Sequence, residues 1–297
     1  MGVLRTSNSE ERKMNKSMQK VVDTLQTYMG EGSLVWHNAC LIRDQSNLVS
    51  GNPYRGVNHF ITAMVADAES YQSPYWATFK QIKDLGGNLI DAKGKGVPTI
   101  FYKNLPSKDG DEDGQKRFVI RNSYVFNLDL VTGIDADRVK MDGVGQAALD
   151  QDAEVVANTY LEREGLTVSH GSPAYVPAFD AVKMPALNEV TSTDEYYSTY
   201  FHELAHSTGH PKRLCRFGMD ATKFESREEY SKEELVAEIT AAMLCHGCGV
   251  DSQSSIKNSA AYIQGWSRFI KEEAEAFLGA VNHAYKARAF ILTGEGA

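Results

Sequence analysis

The chain has 297 residues and a mass of 32.9 kDa, with 42% hydrophobic and 24% charged residues. That mix supports one large or two ordinary globular domains and excludes a largely disordered, collagen-like or disulfide-stapled chain. The net charge of −8 hides an asymmetry: residues 1–140 carry 18 Lys and Arg against 16 Asp and Glu, whereas 141–297 carry 13 against 23.

An imbalance of this kind suggests two units with different partners. No apolar run approaches the roughly 20 residues of a membrane helix, and no membrane partner is expected. Met1 to Lys20 is polar and mixed in charge, without the apolar stretch of a secretory signal. Cys40, Cys215, Cys245 and Cys248 are few and spread apart, which fits a reducing cytoplasm.

In chain order, Asn8 to Met29 reads as a helix, because Met14, Met18, Val21, Val22 and Leu25 recur at three- and four-residue steps. Helices are also predicted from about Asn58 to Ala68 and from Tyr75 to Leu85, the latter stopped by Gly86 and Gly87. Asn88 to Ala92, Thr99 to Lys103 and Arg117 to Leu128 have the β-branched and aromatic texture of strands. Gly133 to Gly145 is read as a boundary, giving units 1–140 and 141–297.

The second unit is predicted to open with a helix over Asp150 to Glu164, followed by strands at Leu166 to Ser169 and Ala174 to Val182. Pro177 marks the second of these as an edge strand. Ser192 followed by Glu195 is a capping-box pattern that starts a helix through His206. Further helices are predicted over Ser231 to Cys245 and Ile256 to Leu292. The fold class is therefore α+β in two domains, the first a mixture of helices and a small sheet.

The sharpest chemical signal is Phe201-His202-Glu203-Leu204-Ala205-His206. Two histidines four apart on a helix share one face and can grip one cation, while Glu203 between them can act as general base. Zinc needs a third protein ligand. Lys212 occupies the place where the metzincin pattern needs a histidine. His210 follows Gly209, where the chain is expected to leave the helix, so it serves better as a supporting group or an alternative ligand.

A glutamate from a later helix is the other solution. Glu234 and Glu238 fall one turn apart on the same face, so one can bind a metal while the other accepts a hydrogen bond from a ligand histidine. Glu225 and Glu229 are further candidates. The bland alternative is that Glu234 completes a capping box with Ser231. Cys245-His246-Gly247-Cys248 has no second CxxC to pair with and is read as structural.

Aromatics in the first half are mixed with basic and amide residues: Trp36, Tyr54, Arg55, Asn58, Tyr75, Trp76, Lys80, Gln81, Lys93 and Lys95. Flat rings beside cations suit a single-stranded nucleic acid, since rings stack on bases and cations meet phosphates. The alternative for each ring, taken singly, is a place in the core.

The HExxH segment and Glu234-Leu235-Val236-Ala237-Glu238 together resemble the gluzincin side of the zincin metallopeptidases. That resemblance implies Glu234 as third ligand, Glu238 as its partner behind a histidine, Zn2+ or another divalent ion such as Mn2+, and a substrate laid along Ala174 to Val182. Tyr175 is the candidate oxyanion partner. Over nearly its whole length the chain also resembles the plasmid ArdC antirestriction family. The likeness rests on Tyr54-Arg55-Gly56-Val57-Asn58, on Ser73 to Gln81, on Leu85-Gly86-Gly87, on His202 to His210, on Glu233 to Glu238 and on Ala260 to Trp266.

It implies a single-stranded-DNA-binding domain joined to a zincin-like metalloprotease domain. It also implies a role in protecting incoming plasmid DNA from host restriction during conjugation, with a protein substrate or restriction-system component as partner. Two other readings compete: a DNA-binding protective protein whose zincin domain is a non-proteolytic scaffold, and a metalloprotease that cleaves a repressor.

Overall fold

The computed structural model describes residues 16–28, 44–104, 118–134, 152–190, 192–217, 227–251 and 273–295. The expected boundary at Gly133 to Gly145 therefore falls mostly outside the described residues, as do Asn8 to Asn15, Trp36, Glu225 and Ala260 to Trp266.

Helix α1 (Lys16–Tyr28) buries Val21, Val22 and Leu25 on one stripe. After β1 (Ser46–Asn47) comes α2 (Gly56–Ala68), whose middle is buried almost all round. The predicted helix from Tyr75 to Leu85 is corrected: Tyr75–Thr78 forms strand β2, and only Phe79–Asp84 is helical (α3). Tyr75, Trp76 and Ala77 are buried. The break falls at Thr78, where a capping box starts α3: the Thr78 hydroxyl accepts from the Gln81 N–H, and the Gln81 side chain accepts from the Thr78 N–H.

β3 (Asn88–Leu89), β4 (Val97–Asn104), β5 (Phe118–Asn127) and β6 (Val131–Thr132) follow. The main sheet runs β1-β2-β5-β4, with β1 and β2 parallel and the rest antiparallel; β3 and β6 pair separately.

In the second half α4 (Ala153–Glu164) ends at Gly165, whose φ of 66° forms the left-handed cap that glycine adopts without strain. The strand expected over Ala174 to Val182 is two strands. β8 (Ala174–Val176) and β9 (Ala181–Met184) are separated by a 3-10 turn at Pro177–Phe179, because Pro177 has no N–H and Asp180 turns left-handed with φ 48°. With β7 (Thr167–His170) they form the sheet β7-β9-β8, so β8 alone is the edge next to the turn.

Helices α5 (Thr193–Ser207), α6 (Arg227–Gly247) and α7 (Ala274–Thr293) complete the chain. Because α6 begins at Arg227, Ser231 lies within the helix and is not its cap. Residues 256–272 of the last predicted helix lie outside the described residues.

One buried cluster joins the halves: Val22, Phe60, Ile61 and Trp76 pack with Leu235, Ile239, Phe277 and Val281. Phe60 meets Phe277 edge-on at 5.6 Å. Asn282 Oδ1 accepts the Val57 N–H at 3.1 Å, and a Cβ at Gly56 would collide with that oxygen. A second cluster lies between α4, the β7-β9-β8 sheet, α5 and the far end of α6. Helix α6 therefore touches both cores. Among the described residues no helix is long and apolar enough to cross a membrane.

Candidate metal centre

Helix α5 starts where Ser192 Oγ accepts the Glu195 N–H, and it buries Phe201, Leu204 and Ala205 completely. That leaves His202 and His206 on its opposite side, facing α6. Their rings lie edge to face at 4.7 Å, with the two Nε2 atoms 3.0 Å apart. Glu234 of α6 reaches both: its carboxylate oxygens lie 3.5 Å from His202 Nε2 and 3.5 Å from His206 Nε2. The ligand atoms of these three residues all lie within 4.8 Å of one another, the only such group among the described residues. Two imidazole nitrogens and one carboxylate are a donor set that could hold zinc or a similar divalent ion.

Each imidazole has a carboxylate behind it. Glu238 lies 3.2 Å from His202 Nδ1, and Glu233 lies 3.4 Å from His206 Nδ1. Burial opposes charge on His202, but hydrogen bonds to Glu234 and Glu238 outweigh it and lift its pKa to about 10. The pocket thus favours positive charge at this point. Sequence reasoning named Glu238 as the orienting group and missed Glu233. Its neighbour Glu234 shares the motif, but only the fold shows that consecutive residues of α6 flank one histidine.

Glu203 is nearly buried, and its Oε2 accepts the Tyr175 N–H of β8 at 2.7 Å. The edge strand therefore holds the candidate base through its backbone. The Tyr175 hydroxyl does not serve as the expected oxyanion partner: it donates to Asp180 at 2.8 Å and accepts from Arg213 at 3.2 Å. Arg213, with its side chain 1% exposed, also pairs with Asp180 and donates to the Ser207 carbonyl. His210 is outside the donor group. Its Nδ1 accepts the Lys212 N–H and lies 3.9 Å from Asp180. Burial pushes the thiols of Cys245 and Cys248 up to about 12 and about 11, which leaves little thiolate near neutral pH.

The residues proposed for nucleic acid divide sharply. Trp76 is fully buried and donates to Gln45 Oε1, and Tyr75 is 7% exposed, so neither ring can stack on a base. Tyr54 packs against the core. Asn58 holds both the N–H and the C=O of Ile100 at 2.7 Å, closing the edge of β4. Gln81, the third residue of α3, has its side chain engaged in the capping box with Thr78. Lys80 pairs with Asp84 and Lys95 with Glu69, whereas Arg55 and Lys93 are exposed. Among the described residues of the first half, the exposed aromatic rings are Phe79, Phe101 and Tyr124. Lys83 lies over Phe79, Lys20 lies over Tyr124, and Arg121 faces Phe101 across the β4–β5 register. The sequence signal for Phe101 and Tyr124 was present as strand aromatics, but alternation alone did not show which rings the helices cover.

A helix carrying HExxH, a glutamate from the next helix and an edge strand on the base define a zincin-like metallopeptidase domain. Residues 155–283 match the family model of that description, and residues 12–126 match that of the N-terminal domain of the anti-restriction factor ArdC. A crystal structure of the antirestriction protein ArdC from plasmid R388, metal-free, superposes with a TM-score of 0.68 at 28% identity, covering 93% of this chain and 97% of that one. The Mn(II)-bound form gives 0.70 at 28% identity, over 92% and 96%.

Two Escherichia coli DNA primases called TraC are 28% and 27% identical over 84% of this chain. The chain spans only 24% and 18% of their length. A protein of Sinorhizobium fredii is 25% identical over 89% of this chain and 86% of its own length. The chain is an ArdC-like protein.

Proposed function

We propose that this chain is an antirestriction protein: it binds DNA as a single strand, protects incoming plasmid DNA, and carries a divalent-metal peptidase centre. The observation that carries the reading is the convergence of His202, His206 and Glu234 beside a buried Glu203 in an ArdC-like chain. The three residues would hold Zn2+ or Mn2+, which when bound supplies Lewis acidity toward a peptide carbonyl. The Mn(II)-bound R388 relative supports a divalent ion.

Glu203 then works as general base. With Oε2 accepting from the Tyr175 N–H, Oε1 is the oxygen that takes the proton from the attacking water. Glu238 accepts from His202 Nδ1–H and keeps its tautomer fixed. On the first half, Phe79, Phe101 and Tyr124 with their neighbouring cations supply stacking and phosphate contacts, aided by Arg55 and Lys93.

The test is Glu203→Ala in the full chain. The variant should keep its metal and its affinity for oligonucleotides, yet lose protection of incoming plasmid DNA in matings with a restricting host. Unchanged protection would assign the metal-binding domain a scaffolding role instead.

A further inference from the structure

We propose that Glu233 and Arg216 together position His206, making it the rigidly held member of the donor group. This rests on the metal centre proposed above. Glu233 Oε1 lies 3.4 Å from His206 Nδ1, and both its oxygens are gripped by Arg216, Nε to Oε2 at 2.8 Å and Nη2 to Oε1 at 2.6 Å. Arg216 in turn donates to Thr208 Oγ1 at 2.7 Å and to the Ala205 carbonyl at 3.0 Å, so it also ties down the end of α5. The side chains of Arg216 and Glu233 are 5% and 6% exposed.

A buried ion pair is a poor way to gain stability, since apolar residues of similar size often do as well. What this pair supplies is direction. A carboxylate held by two guanidinium hydrogen bonds cannot turn, and its Oε1 is kept 3.4 Å from His206 Nδ1. The proton is then fixed on Nδ1, and the Nε2 lone pair points toward Glu234 and His202. Consecutive residues of α6 thus grip one imidazole from both sides, Glu233 behind and Glu234 in front. His202 is held differently: Glu238, behind it, is 26% exposed and pairs with no Lys or Arg among the described residues. His206 is the fixed point of the centre and His202 its adjustable partner.

The full-length protein is titrated with Zn2+ and with Mn2+ against a chromophoric chelator, as wild type, as Glu233→Gln and as the double variant Glu233→Leu with Arg216→Met. The melting temperature of each metal-free protein is measured alongside. The double variant removes both buried charges together, so it folds even if Glu233→Gln, which leaves Arg216 poorly paired, does not.

The dissociation constant should rise about ten- to a hundred-fold in each folded variant, while the double variant melts near the wild type. The visible spectrum of its Co2+ form should shift as the imidazole turns. Wild-type affinity and an unchanged Co2+ spectrum in the double variant would overturn the proposal and leave the metal centre standing. No ion uptake by the wild type would overturn both.

Discussion

Asp180 is a single residue on which several parts of the zincin-like half converge. It lies in a left-handed turn, pairs with the buried Arg213, and accepts from the Tyr175 hydroxyl, while Arg213 reaches on to the Ser207 carbonyl at the end of α5. This chain of contacts sets the height of β8, and through the Tyr175 N–H it sets the position of Glu203. Burial pushes the Asp180 carboxyl up, but the hydrogen bonds from Arg213 and Tyr175 outweigh it and hold it below its usual value.

Its contribution to stability is therefore present above the unfolded-state pKa of about 3.9 and is lost as pH falls through the lower folded value. Asp180→Asn keeps a residue tolerant of the left-handed turn and leaves Arg213 without its charge partner. It should cost about 3 kcal/mol at neutral pH. In urea unfolding the gap between wild type and variant should narrow as pH falls below about 4, and a gap independent of pH would count against this account.

Elements show which sequence patterns could be read and which could not. The i, i+4 spacing of His202 and His206 and the one-turn spacing of Glu234 and Glu238 were legible because both are properties of one helix. Tyr75 to Leu85 misled because three-residue spacing of aromatics fits a helix. The decisive capping box at Thr78 and Gln81 lies inside the run, and a central strand buried on both faces need not alternate. Pro177 was legible as an edge signal but not as the place where the strand turns back.

Asn58 was chosen for its neighbours, Tyr54 and Arg55, yet its amide takes the place of a missing strand beside β4. Asn58→Leu should leave two backbone groups of Ile100 unpaired, at about 1–3 kcal/mol each. Its affinity for an oligonucleotide, per folded molecule, should stay at the wild-type value. Lost affinity with unchanged stability would return Asn58 to the nucleic-acid surface.

At the scale of the whole molecule, the charge asymmetry pointed to two units, and the two family matches bear out two domains of different kind. No periodicity could show that they share a core, because that depends on α7 and α6 laying Phe277, Val281, Leu235 and Ile239 against α1 and α2. Nor could spacing show that Arg216, 17 residues before Glu233, returns to clamp it. The helix that carries Glu234 is thus also the wall on which the first half packs.

The central claim is best tested by metal content: the full-length protein is loaded with Zn2+ or Mn2+, freed of excess ion and analysed. About one ion per chain is expected for the wild type and for Glu203→Ala, and essentially none for His206→Ala or Glu234→Ala. Full occupancy in either ligand variant, or an empty wild type, would contradict the account.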